Sequence, residues 1–121
     1  MDLFNLLNKS GVVIVENKNQ KCYEKMWDAY TLGAKDINNP YRKTLLVMCT
    51  NTIKQNYSDW VGEINRTVTH ESVHIAQACK SNDGYLTAIG GLGFKDNLEG
   101  EAVKLHDSPK LVSSLIKKYC F

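Results

Sequence analysis

The apolar residues in the first half of the chain form two short continuous runs. Residues 11–15 (GVVIV) and 44–50 (TLLVMCT) are rich in large or β-branched side chains. Runs of this length and type are typical of buried strands. Between them, aromatic and methionine side chains recur at helical spacing, which predicts a helix over residues 19–33 that ends at Gly33.

The second half of the chain follows a helical period. Large apolar residues recur there at intervals that place them on one helix face; they are Trp60, Ile64, Val68, Val73 and Ile75. Ser58 or Asp59 can cap this helix, which should run to about Lys80. Two shorter helices are expected over 97–106 and 110–119, separated by a proline.

Length and composition indicate one globular domain. A chain of 121 residues with 43% hydrophobic and 23% charged residues is ordinary for a single folded domain. Strands followed by helices predict one α+β domain over residues 1–121. The net charge of +2 gives no reason to expect a nucleic-acid or membrane partner. Neither a signal peptide nor a membrane span is recognised, so we expect a cytoplasmic protein.

The four cysteines are widely spaced, at Cys22, Cys49, Cys79 and Cys120. No two of them have the C-x-x-C spacing of a zinc ribbon, so we do not expect that kind of site. For a cytoplasmic chain we expect reduced, buried thiols. Disulfide pairing is the alternative, because an even number of cysteines permits it.

The strongest chemical signal lies on the predicted long helix. Residues 70–74 read His-Glu-Ser-Val-His, the pattern H-E-x-x-H. Residues four apart share one helix face, so His70 and His74 can both reach one metal ion at ~2.0–2.1 Å. Glu71 is offset by one residue, where it can take a proton from a water that the metal activates. The plain alternative is two surface histidines beside an exposed glutamate.

This stretch resembles the active-site helix of the zincin superfamily of metallopeptidases. An apolar lead-in precedes H-E-x-x-H, and Gln77 follows it. The metzincin branch requires glycine and a third histidine where this chain has Gln77 and Lys80, which excludes that branch. The gluzincin-like branch remains, in which a second helix supplies a glutamate. Residues 98–102 (LEGEA) resemble that third-ligand element, so the resemblance covers about residues 64–106.

The resemblance implies that His70, His74 and Glu99 bind zinc. Helical periodicity alone favours Glu101, which shares a face with apolar neighbours, whereas the motif places the ligand at Glu99. His106 is a third possibility; it could also be an oxyanion donor or a surface residue. Gly100 is expected to let this helix approach the active-site helix closely.

The function implied by the resemblance is zinc-dependent peptide hydrolysis. Glu71 would act as the general base on a minimal zincin-like domain, whose small N-terminal sheet packs on the H-E-x-x-H helix. A peptide or protein would be the substrate, bound along a free edge of the strand over 44–50, unless that strand is plain core sheet. One alternative is a catalytically inactive zincin-fold protein that binds zinc and captures a partner. Another is an amidase that acts on non-peptide substrates.

Overall fold

The computed structural model describes residues 2–17, 22, 27–34, 39–81 and 96–121. The described elements, in chain order, are α1 (Asp2–Lys9), β1 (Val13–Glu16), β2 (Ala29–Leu32), β3 (Leu45–Met48), α2 (Thr50–Asn56), α3 (Trp60–Ser81), α4 (Asp96–Leu105) and α5 (Pro109–Cys120). The predicted α+β class is confirmed. The predicted long helix and the two C-terminal helices are also present, with ends shifted by one or two residues.

The three described strands form one sheet in the order β1-β3-β2. β3 is the central strand: it is parallel to β1 and antiparallel to β2, and all four of its residues are buried. A strand that is buried on both faces needs a continuous apolar sequence, as residues 45–48 have. The expectation that the strand over 44–50 offers a free edge is therefore wrong, because both of its edges are paired.

β2 replaces the C-terminal part of the helix predicted over 19–33. Ala29–Leu32 pairs with β3 in the register Tyr30↔Val47 and Thr31↔Leu46. Strand formation depends on such non-local pairing, which outweighs a short stretch of helical spacing. Residues 18–21 and 23–26 lie outside the described part of the chain.

α3 is the longest described helix, and its start is fixed by Asp59. The Asp59 carboxylate accepts a hydrogen bond from the Gly62 N–H at 3.2 Å, and its backbone carbonyl accepts one from Glu63 at 3.1 Å. A Cβ atom at position 62 would come too close to the Asp59 carboxylate, so a larger residue there would make the Asp59 side chain move and would disturb this cap. None of the described helices has the length and apolar character that crossing a membrane requires.

The core lies on both faces of the sheet. α1, α3 and α5 cover one face with fully buried aliphatic side chains that include Leu7, Val73 and Ile116. A smaller cluster covers the other face around Tyr30 and Val47. The first cluster holds α3 firmly between the sheet and the C-terminal helices, and α3 carries the H-E-x-x-H motif.

All four cysteines form disulfide bonds. Cys22 pairs with Cys49 and Cys79 pairs with Cys120, each with a Cα–Cα distance of 5.2 Å. The expectation of reduced thiols is therefore wrong. The fold brings the cysteines of each pair into bridging range. The second bond joins the C-terminal turn of α3 to the end of α5.

Candidate metal centre

His70 and His74 lie one turn apart on α3 and face α4. Their ring centroids are 5.2 Å apart. His74 is buried, with 1% of its surface exposed, whereas His70 is partly open to solvent. Val73 and Ile75 flank His74 and are fully buried, so packing of α3 in the core fixes where both imidazoles point.

Glu99 on α4 completes a cluster with the two histidines. Its Oε1 lies 2.6 Å from His70 Nε2, and its Oε2 lies 3.1 Å from His74 Nε2. Ala102, one turn further along α4, is fully buried and turns this face of the helix towards α3. Gly100 is exposed and a Cβ there would touch nothing, so the expectation that it permits the close approach is wrong.

Glu101 contacts α3 but, among the described residues, does not belong to the cluster that Glu99 forms with the two histidines. Its Oε1 accepts a hydrogen bond from the Gln77 amide nitrogen at 2.9 Å. A carboxylate can only accept, so the Gln77 amide nitrogen must face Glu101 and the amide oxygen must face the other way. That oxygen lies 2.8 Å from His74 Nδ1. Glu101 therefore orients Gln77, which in turn orients His74.

Both nitrogens of His74 face oxygen acceptors, namely Gln77 Oε1 and Glu99 Oε2. A neutral imidazole has only one N–H to donate, so one of the two contacts needs a proton or a metal cation between its atoms. A metal ion held by His74 Nε2 and Glu99 would satisfy the second of these contacts.

The donor set fits zinc. One nitrogen each from His70 and His74 and one Glu99 oxygen all lie within 4.8 Å of one another. A tetrahedral zinc site with bonds of ~2.0–2.1 Å separates its ligand atoms by about 3.3 Å. His70 Nε2 and His74 Nε2 contact different oxygens of Glu99, at 2.6 and 3.1 Å, so the carboxylate would have to turn one oxygen towards both histidines to reach that spacing. Three protein ligands are the usual number in catalytic zinc sites.

His106 follows α4 directly and lies outside this ligand group. Its Nδ1 is 3.5 Å from Nδ1 of His70, and the two ring centroids are 5.7 Å apart. Its Nε2 is 3.6 Å from Oδ2 of Asp107. His106 thus contacts the side of His70 that faces away from Glu99, and it also lines the cleft beside the site.

Glu71 lines the same cleft but is not part of the ligand group. Burial, together with the nearby Glu99 carboxylate, raises the pKa of the Glu71 carboxyl to about 8, although the Thr31 hydroxyl on β2 opposes this shift. Among the described residues, its Oε2 has no hydrogen-bond partner. Burial also lowers the pKa of His70, because a desolvated imidazole is harder to protonate; Glu99 opposes this.

A cleft of about 540 Å³ opens beside these residues. β2 and the segment before it form one wall, with Trp27 and Tyr30, and α4 forms the opposite wall, with Val103. His70, Glu71, His74 and Glu99 line the cleft between these walls. A molecule bound there would contact Glu71 and the three candidate ligands together.

Comparison with protein-family models, with curated proteins and with solved structures found no match to this chain. The case for a metal site therefore rests on the geometry of these residues alone. The structure brings together His70, Glu71, His74 and Glu99, which the sequence had singled out. It also gives a role to Gln77, which sequence reasoning had not assigned. The i+3 spacing of Gln77 from His74 was the one sequence signal for this contact.

Proposed function

We propose that this protein is a zinc-dependent metallopeptidase in which His70, His74 and Glu99 hold the ion. The observation that carries this proposal is the position of Glu71. Its buried carboxylate lines the cleft of the three candidate ligands without joining them. A structural zinc site has no use for a second, desolvated carboxylate at that position, whereas hydrolysis needs a base there.

Each residue has a distinct task in the proposed reaction. When bound, zinc supplies Lewis acidity, which polarises a carbonyl and lowers the pKa of a water molecule. Glu71 accepts the proton from the water that attacks the peptide carbonyl, and then delivers that proton to the nitrogen of the departing amine. A carboxyl whose pKa is raised to about 8 suits both steps, because it can accept and return a proton near neutral pH.

The walls of the cleft support an extended peptide as the substrate. β2 is an edge strand among the three described strands, and it lies next to α3. Addition of an extended peptide to an edge strand is a recurring mode of peptide recognition. Trp27 is 36% exposed and Val103 is 51% exposed at the cleft, where they can contact substrate side chains.

The disulfides bear on where the protein works. Protein disulfides form and persist in oxidising compartments and are rare in the cytosol. Two such bonds, Cys22–Cys49 and Cys79–Cys120, therefore favour an oxidising compartment over the cytoplasm expected from sequence.

The proposal is tested by exposing the zinc-loaded protein to a mixed peptide library and identifying products by mass spectrometry. The wild type should cleave a subset of peptides. Glu71→Gln should keep its zinc and lose at least about 100-fold in cleavage rate, the usual loss for a missing acid/base group. A zinc-loaded wild type that cleaves no peptide would instead favour the zinc-binding protein that captures a partner without cleaving it.

A further inference from the structure

If His70 binds a metal, it must be the donor and His106 the acceptor in the contact between their side chains. A neutral His70 that binds a metal through Nε2 must carry its proton on Nδ1. That N–H faces His106 Nδ1 at 3.5 Å, the outer limit of a hydrogen bond. His106 Nδ1 must then accept, so the proton of a neutral His106 is on Nε2.

The groups beyond His106 fit this assignment. His106 Nε2 is 3.6 Å from Oδ2 of Asp107, which is too far for a hydrogen bond, but the negative charge of that carboxylate favours a proton on Nε2. Asp107 Oδ1 accepts a hydrogen bond from Arg66 Nε at 2.9 Å, and Arg66 is also paired with Glu63 at 3.1 Å. The hydrogen bond from Arg66 thus holds the Asp107 carboxylate on the side of His106 that faces away from His70.

We propose that His106 is a positioning residue for the metal centre: it accepts the Nδ1–H of His70 and keeps the Nε2 lone pair of His70 directed at the ion. This inference rests on the metal site of the proposed function, though not on peptide cleavage. Gln77 does the same for His74. Groups that orient ligating histidines in this way typically contribute 10- to 100-fold to metal affinity.

Two substitutions at position 106 separate this role from others. His106→Leu keeps an apolar body of similar size but offers no acceptor. His106→Asn places its side-chain oxygen near the position of the histidine Nδ1 and can still accept from His70. Lys104→Leu, at an exposed position of α4, controls for the introduction of a leucine.

The experiment measures the zinc affinity of the full chain by competition with a chromophoric chelator, and the visible absorption of the Co²⁺ form. We expect His106→Leu to bind zinc about 10- to 100-fold more weakly, and His106→Asn and Lys104→Leu to stay within about threefold of wild type. All variants saturated with Co²⁺ should keep the wild-type spectrum, because the ligands are unchanged. Circular dichroism and the unfolding midpoint of the metal-free proteins show whether each variant is folded.

Three results would overturn the inference. Equal losses in His106→Leu and His106→Asn would mean that the ring itself is needed. Unchanged affinity in His106→Leu would mean that the contact does nothing. A changed Co²⁺ spectrum in His106→Leu would make His106 a ligand.

The wild type tests the two claims on which this inference depends. A wild type that binds neither ion would refute the metal site itself, whereas one that binds zinc but cleaves nothing would refute only the peptidase.

Discussion

Oε2 of Glu99 lies 3.1 Å from Nε2 of His74, although the two residues are 25 positions apart in the chain. The same carboxylate contacts His70 Nε2 through its other oxygen. Glu101, only two residues further along α4, instead contacts Gln77. Two positions on a helix differ by about 200° in direction, so the two glutamates cannot perform the same task.

The first prediction concerns these two glutamates. Glu99→Ala should weaken zinc binding by at least about 100-fold, because it removes one of three ligands. Glu101→Ala should weaken it by less than about tenfold, because Glu101 acts only through Gln77. Calorimetric titration of both variants with zinc gives the comparison, and a larger loss in Glu101→Ala would move the ligand role to that residue.

The second prediction concerns the hydrogen bonds from Glu101 through Gln77 to His74. Gln77→Leu removes the acceptor for His74 Nδ1–H and should weaken zinc binding about 10- to 100-fold. Gln77→Glu puts two carboxylates together at this point and should weaken binding as well. The double variant Gln77→Glu/Glu101→Gln restores a donor facing an acceptor and should recover most of the affinity. Additive losses in the double variant would show that the two residues do not act together.

The helix that carries the H-E-x-x-H motif, α3, could be predicted from sequence because its signals are local. The cap at Asp59, the apolar period of α3 and the spacing of His70 and His74 all lie within one continuous segment. The choice of Glu99 as the third candidate ligand depended on the resemblance to a known motif, because helical periodicity alone favoured Glu101. Ala102 is the buried residue of α4 that faces α3. In the sequence it shares a helix face with Glu99 and also with Glu101, so it could not show which of the two glutamates faces the histidines.

Features that depend on distant contacts were not predictable. Tyr30 and its neighbours have helical spacing, yet they form β2 because β3 is available to pair with them. Cys79 and Cys120 are 41 residues apart, and only the packing of α3 on α5 brings them together. The contact of His106 with His70 likewise depends on where α4 ends relative to α3.

The third prediction uses the buried carboxyl of Glu71 in the metal-free protein. A raised pKa means that folding disfavours the charged form. The free-energy cost of folding with an ionised Glu71 is therefore absent below its ordinary pKa of 4.5, and it grows as the pH rises to about 8. Glu71→Gln removes this cost and should be more stable than wild type by about 3 kcal/mol at pH 7, with the advantage shrinking towards pH 4.5.

Urea unfolding at pH 4.5 and pH 7, with a chelator present, measures this difference. Glu101→Gln, which removes an exposed carboxylate, is the control and should show no such growth with pH. An advantage of Glu71→Gln that is the same at both pH values would contradict the assignment of a desolvated carboxyl.

The fourth prediction concerns the disulfides. The native protein, denatured without reductant, should show no reactive thiols in a colorimetric assay, since all four cysteines are paired. Replacing Cys79 and Cys120 together by serine should lower the free energy of unfolding by about 2–4 kcal/mol, because the unfolded chain gains freedom. Four reactive thiols in protein purified under oxidising conditions would contradict the pairing.

The most direct test of the metal centre is a crystal structure of the zinc-loaded protein with anomalous data at the zinc edge. We predict one strong peak per chain, within about 2.0–2.2 Å of Nε2 of His70, Nε2 of His74 and one carboxylate oxygen of Glu99. A peak coordinated by other residues, or none at these three in protein crystallised with excess zinc at neutral pH, would contradict the account.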